Sequence, residues 1–380
     1  MTEKNNTLEQ VNLTQLKSLL PAFMKSKTPL YLWGRPSTGK TSIIRQFAQE
    51  QAGKLGLRYS EDEYGKDIFT LKVITLSQFD SPDLRGMPQV VIDEKDKAKS
   101  YTEFVPTAEL PRIGQGILFF DEMNLADDTT RAACYQIILE GRYGSLPAVV
   151  DANGNQTFWR VAASNTENDF CSVNVSSLAL LRRFSHLSVM PEHKEVIDYF
   201  IKQGIDFRIP AYLSSFSEDL FPQKFDEKLV DNKANPFPST WQSLGIMMDK
   251  MTDIDLIYKL AASCVGTPVA AKFQSFVRMM GKLDIDKILK DPEKEISDIK
   301  KLPEKASMLY AVVYSIGNSW IKKEKHLKAP VMIKLAEALP PEFAVTFASI
   351  LLSTRRSSEL TAEPTFHKFL TKIGVFFDSI

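Results

Sequence analysis

Residues 34–41 read Gly34-Arg35-Pro36-Ser37-Thr38-Gly39-Lys40-Thr41, which fits the pattern G-x-x-x-x-G-K-[ST]. Two glycines at this spacing permit a tight turn whose backbone N–H groups converge on phosphate oxygens. The helix behind the turn adds its positive N-terminal end. Lys40 would reach the β- and γ-phosphates, the Thr41 hydroxyl would bind Mg²⁺, and Ser42 completes the phosphate-binding set. The expected ligand is a nucleoside triphosphate, ATP or GTP. The alternative is a chance match in a glycine-containing loop; the strand–loop–helix context speaks against it.

Three further clusters could act on that ligand. Asp121-Glu122 closes the apolar run Ile117-Leu118-Phe119-Phe120. Asp121 could bind Mg²⁺ and Glu122 could orient and deprotonate an attacking water. Taken alone, the pair reads as readily as surface acids at a strand end. Asn165 follows 157–164, TFWRVAAS, and could hold the water or a γ-phosphate oxygen if its strand lies beside that of Asp121. An isolated Asn is otherwise a turn residue. Arg182 and Arg183 sit between apolar neighbours in Leu180-Leu181-Arg182-Arg183-Phe184. They are either solvated charges at a helix end or an arginine finger reaching the nucleotide of a neighbouring subunit.

These residues need a scaffold that brings four distant segments together. Leu30, Leu32 and Trp33 form an apolar strand into the loop, and Ile43, Ile44, Phe47 and Ala48 give the next helix one apolar face. Residues 68–76, 116–120, 157–163 and 187–190 read as further strands, with helical segments between several of them. Leu16, Leu19, Leu20 and Phe23 mark an amphipathic helix before the first strand. The pattern predicts an α/β fold, a five-stranded parallel sheet with helices on both faces. Asn153-Gly154 marks a hairpin within 141–160.

The chain has 380 residues, with 47 basic and 47 acidic side chains. Zero net charge gives no support for passive binding to naked nucleic acid, which draws on positive surface. Cys134, Cys171 and Cys264 are far apart and form no CxxC pair, as in a cytoplasmic protein with free thiols. The opening MTEKNNTLEQ is not expected to be a secretory signal, and no apolar run reaches membrane-spanning length. His326 and His367 are isolated, without metal-ligand spacing, and His186 and His193 flank the last strand in structural or solvent-facing roles.

In order along the chain, GRPSTGKT, ILFFDE, AASN and LLRRF resemble Walker A, Walker B, sensor 1 and the arginine-finger region of AAA+ ATPases. The closer resemblance is to the MoxR-like group. Asp83-Leu84-Arg85-Gly86-Met87-Pro88 is similar to its D-L-x-G-x-P, and Glu122-Met123-Asn124-Leu125-Ala126 to its E-x-N-R-A. The likeness covers residues 10–195 and extends more loosely to about 280. It implies ATP and Mg²⁺ as cofactors, Asp121 and Thr41 as metal ligands, Glu122 as base, Asn165 as sensor 1, and Arg183, with Arg182 beside it, as finger. It also implies a ring, commonly hexameric, with ATP between subunits, and chaperone-like remodelling of a protein client, often beside a von Willebrand factor A domain partner. Two positions depart from the family: Leu125 replaces an arginine, and Ser239 stands where the lid usually supplies a sensor 2 arginine, whose charge a hydroxyl cannot replace.

The expected organisation is a nucleotide-binding core at 1–192, a helical lid at 193–280, and a charged connector with C-terminal helices at 281–380. Residues 205–235 read as irregular, with Ser239 or Thr240 as N-cap of the following helix, and 279–305 as surface loop and short helix. Helices are expected at 302–320, 329–339 and 342–354, and in a last segment around Phe366, Phe369 and Leu370. Two rival readings remain: a nucleic-acid-directed motor or loader, and an ATP-gated scaffold without turnover.

Overall fold

The computed structural model describes residues 8–105, 107–143, 146–147, 149–165, 181–222, 234–322, 327–353 and 356–377. Cys171, Leu180 and His326 lie outside the described residues. The chain divides into two compact units, Met1–Glu192 and His193–Ile380.

The first unit is built on one sheet. Its strands in chain order are β1 (Gln10–Val11), β2 (Leu30–Trp33), β3 (Arg58–Ser60), β4 (Ile68–Thr75), β7 (Gln115–Asp121), β10 (Phe158–Ser164) and β11 (Ser185–Val189). Their spatial order is β1-β11-β2-β10-β7-β4-β3, and every pairing is parallel. Two antiparallel ribbons stand apart from it: β5 (Met87–Val91) with β6 (Tyr101–Val105), and β8 (Arg142–Tyr143) with β9 (Leu146–Pro147). The sheet thus has seven strands where five were expected. The two extra ones, β1 and β3, are two and three residues long, too short to carry a period-two pattern.

Successive residues of a strand face opposite ways, so each inner strand serves two cores. On one face Leu30, Leu32, Ile117, Phe119, Trp159 and Val161 pack with Leu16 and Leu20 of α1 (Leu13–Ser26) and Ile43, Ile44 and Phe47 of α2 (Lys40–Leu55). On the other, Tyr31, Leu118, Phe120, Phe158 and Ala162 meet Ile137 and Ile138. Those isoleucines belong to α4 (Asp128–Glu140), which follows the short helix α3 (Ser81–Arg85). Burial on both faces is why the inner strands read as unbroken apolar runs. Leu19, expected on the inner face of α1, is 39% exposed. The hairpin expected at Asn153-Gly154 is present: Gly154 adopts φ 80° and donates to the Asp151 carbonyl, and the Asp151 carboxylate accepts from the N–H groups of Asn153 and Asn155.

In the second unit every described element is helical. One apolar core runs from Val196 to Ile373 and includes Trp241, Trp320, Phe273 and Phe347. Helix Arg208–Ser215 falls inside the stretch read as irregular; it buries Ile209, Ala211, Tyr212 and Leu213, but at eight residues it is too short for a periodic signal to stand out. The N-cap expected at Ser239 or Thr240 is instead Phe237, because Pro238 takes the first helical position and Thr240 Oγ1 accepts from the Phe237 N–H at 2.9 Å. The charged stretch at 279–305 holds two helices, Ile285–Lys290 and Pro292–Ile299, anchored by Ile288, Ile296 and Ile299. The helices Lys305–Ile321, Ala329–Ala338, Pro341–Leu352 and Pro364–Phe377 lie where sequence periodicity puts them.

Candidate nucleotide site

The loop at 34–41 joins the carboxyl end of β2 to the first turn of α2. Its path requires unusual backbone: Ser37 adopts φ 62° and Gly39 φ 86°, and the second of these suits glycine because it has no Cβ. Gly34 is held for a different reason. A Cβ there would sit 2.6 Å from the Val189 carbonyl oxygen at the end of β11, so no larger residue lets the two strand ends approach this closely.

Strand order decides what meets this loop. β10 lies between β2 and β7, with Ser164 opposite Trp33 and Val161 opposite Phe119. Asn165 therefore leaves the sheet beside the loop, and its Oδ1 stands 3.4 Å from Lys40 Nζ. The Lys40 ammonium is buried and also donates to the carbonyls of Gly34 at 2.6 Å and Arg35 at 2.9 Å. Thr41 Oγ1 donates to Asp121 Oδ2 at 2.8 Å, joining two groups 80 positions apart. Such a hydroxyl–carboxylate pair fits Mg²⁺, a hard cation that takes oxygen donors and usually shares its shell with substrate phosphates. The fit needs no all-protein cage, and among the described residues no three His, Cys, Asp or Glu side chains gather as one.

Glu122 directly follows the strand and adopts φ 54°, a conformation that L-residues take at some cost. Its N–H donates to Asp121 Oδ1 at 3.0 Å, and its Oε2 accepts from Ser77 Oγ at 2.5 Å. Ser77 lies just after β4, one strand over. Ser77 is a lone serine in LSQFD and carries no motif; only the β4–β7 pairing, Thr75 opposite Asp121, brings it to the carboxylate.

Further hydrogen bonds fix the strand ends to one another. Ser164 Oγ lies 2.7 Å from Tyr31 Oη and accepts from the Asn124 N–H at 3.2 Å. Asn124 Nδ2 donates to the Asn165 carbonyl at 3.2 Å, which holds the backbone from which Asn165 reaches Lys40. The Met123 N–H donates to Ala163 and the Gly34 N–H to the Ser164 carbonyl. Asn124 lies in the stretch Glu122-Met123-Asn124-Leu125-Ala126, whose motif by itself gives it no role.

Arg182 and Arg183 are not drawn into this cluster. Both are exposed, in a turn closed by the Phe184 N–H donating to the Leu181 carbonyl at 3.1 Å. Cys134, on α4, is buried, and burial pushes its thiol pKa up, which removes it as a nucleophile. No described helix is long and apolar enough to cross a membrane.

Strand order and loop geometry together define the class: an α/β P-loop core. No protein-family model matches the sequence, and no curated protein matches it. Among solved structures, the chain is similar to NtrX from Brucella abortus in complex with ADP, at 12% identity and TM-score 0.37, over 95% of this chain and 68% of that one. It is also similar to a RuvB mutant from Thermotoga maritima, at 15% identity and TM-score 0.34, over 87% and 88% of the two chains. Both likenesses are loose.

Proposed function

We propose that this chain is an ATP-hydrolysing AAA+ protein of MoxR type, which works as a ring and uses turnover to remodel a protein partner. The observation that carries this reading is the convergence of Lys40, Thr41, Asp121, Glu122 and Asn165, from three separate segments, at the carboxyl ends of β2, β7 and β10.

Lys40 would exchange its loop carbonyls for phosphate oxygens, and the loop N–H groups with the start of α2 would hold the remaining negative charge. Thr41 and Asp121 would hold Mg²⁺, which supplies charge neutralisation at the phosphates. Asn165, fixed through its carbonyl by Asn124, would orient the attacking water. Glu122 would take that water's proton once its carboxylate leaves Ser77. Arg183 or Arg182 would stabilise transition-state charge in a neighbour's site, which fits their exposure. The second unit, helical in every described element, would serve as the lid and its continuation; Ser239 leaves that lid without the usual arginine at this position. A protein client and a von Willebrand factor A domain partner belong to the same reading.

Lys40→Ala should abolish ATP binding in a titration; unchanged affinity would overturn the loop assignment. Glu122→Gln should keep ATP affinity while turnover drops about 10²-fold or more, the usual scale for losing a general base. ATPase stimulation by DNA that fades across a rising salt series would turn the reading toward a nucleic-acid motor.

A further inference from the structure

The turn that carries the two arginines is tied to the strand that enters the phosphate loop. Leu181, Arg182, Arg183 and Phe184 form a turn with the arginines at its two central positions, closed by the Phe184 N–H on the Leu181 carbonyl at 3.1 Å. The same carbonyl faces His186 Nε2 at 2.7 Å. On its other side, His186 Nδ1 accepts from Trp33 Nε1 at 3.0 Å. Trp33 is the last residue of β2, and Gly34 of the loop follows it directly.

The chemistry of the end groups leaves one arrangement of protons. An indole N–H only donates and a backbone carbonyl only accepts. His186 must therefore present a lone pair at Nδ1 and a proton at Nε2, and both ends demand this same neutral tautomer. Three aromatic contacts stiffen the relay. Tyr31 stacks on Trp33 with centroids 4.3 Å apart, lies against His186 at 5.5 Å, and packs T-shaped with Phe184 at 5.2 Å. Phe184 is buried while its two arginine neighbours are exposed.

We propose that His186 is a positioning residue for the arginine turn, holding the base of the turn to Trp33 so that Arg182 and Arg183 are presented in register with the subunit's own phosphate loop. The proposal rests on the reading of these arginines as a finger acting on a neighbouring subunit. In a ring it makes each subunit's loop and the finger it offers next door parts of one stiff group. A shift of β2 on nucleotide binding would then be felt by the neighbour's site.

Mixed assemblies separate the two roles of a subunit. A donor carrying Lys40→Ala offers a finger but binds no ATP. An acceptor carrying Arg182→Ala and Arg183→Ala together binds ATP but offers no finger. ATPase activity recovered on mixing therefore reports donor fingers in acceptor sites. His186→Phe placed in the donor should lower the recovered kcat about tenfold with little change in KM, the scale of a misplaced group rather than a missing one. The same substitution in the acceptor should leave recovery intact. His186→Gln in the donor should restore most of it, because its Oε1 can accept from Trp33 and its Nε2 can donate to Leu181. Thermal melts of each variant and size measurements of each mixture confirm folding and co-assembly. Equal loss in donor and acceptor, no loss in either, or no rescue by Gln would overturn the positioning role. Absence of recovery in the parent mixture, with co-assembly demonstrated, would instead overturn the finger reading beneath it.

Discussion

Ser77 and Glu122 show how one hydrogen bond can tether the carboxylate proposed as general base. The serine hydroxyl occupies Glu122 Oε2 at 2.5 Å, and the glutamate backbone at φ 54° departs from the extended strand that precedes it. One of the carboxylate's two oxygens is committed to the serine, which holds the group in that orientation. Ser77→Ala should therefore raise the ATPase rate without client by about two- to fivefold, within the range a single general base commands. ATP affinity should stay unchanged. A steady-state assay with and without the substitution checks this, and a fall in rate would mean that Ser77 orients the base rather than restraining it.

At the scale of elements, the second unit is pinned by a polar group inside its apolar core. Asp219 is 4% exposed; it accepts from Tyr212 Oη at 2.6 Å and from Lys272 Nζ at 3.2 Å, while its carbonyl accepts from Trp241 Nε1 at 2.9 Å. These contacts join helix Arg208–Ser215 to helices Pro238–Met247 and Thr267–Met280. Burial, reinforced by the Asp219 hydrogen bond, drives the Tyr212 hydroxyl pKa far up, so the phenol stays a donor at any working pH. Tyr212→Phe leaves the ring packing and removes one bond to a charged acceptor, a loss of about 2 kcal/mol. In a unit of this size the melting midpoint should drop by about 4–8 °C, measurable by calorimetry.

At the scale of the whole molecule, each unit closes its own core. Among the described residues, the apolar cluster of the second unit draws on positions from 196 to 373, and the two clusters flanking the sheet draw on positions from 11 to 189. Residues 193–380 expressed alone should therefore give a helical circular dichroism spectrum and one cooperative urea transition, as small domains with a complete core do. A broad transition without cooperativity would show that this core needs the first unit to close.

The sequence alone determined the fold class and placed a phosphate-loop motif within it. The loop at 34–41 announces itself because phosphate binding demands glycines, lysine and a hydroxyl at fixed spacing within a few residues. The inner strands and the late helices announce themselves through long apolar patterns. Tertiary structure decided what depends on neighbours across the sheet. That β10 lies between β2 and β7 is a matter of strand order, and it alone brings Asn165 to Lys40. The edge strands β1 and β3, the serine on Glu122 and the Trp33–His186–Leu181 relay carry no local pattern. The β1–β11 pairing, the Ser77–Glu122 bond and the Trp33–His186 bond join residues far apart in the chain, and form only when backbone pairing fixes which strand ends stand side by side.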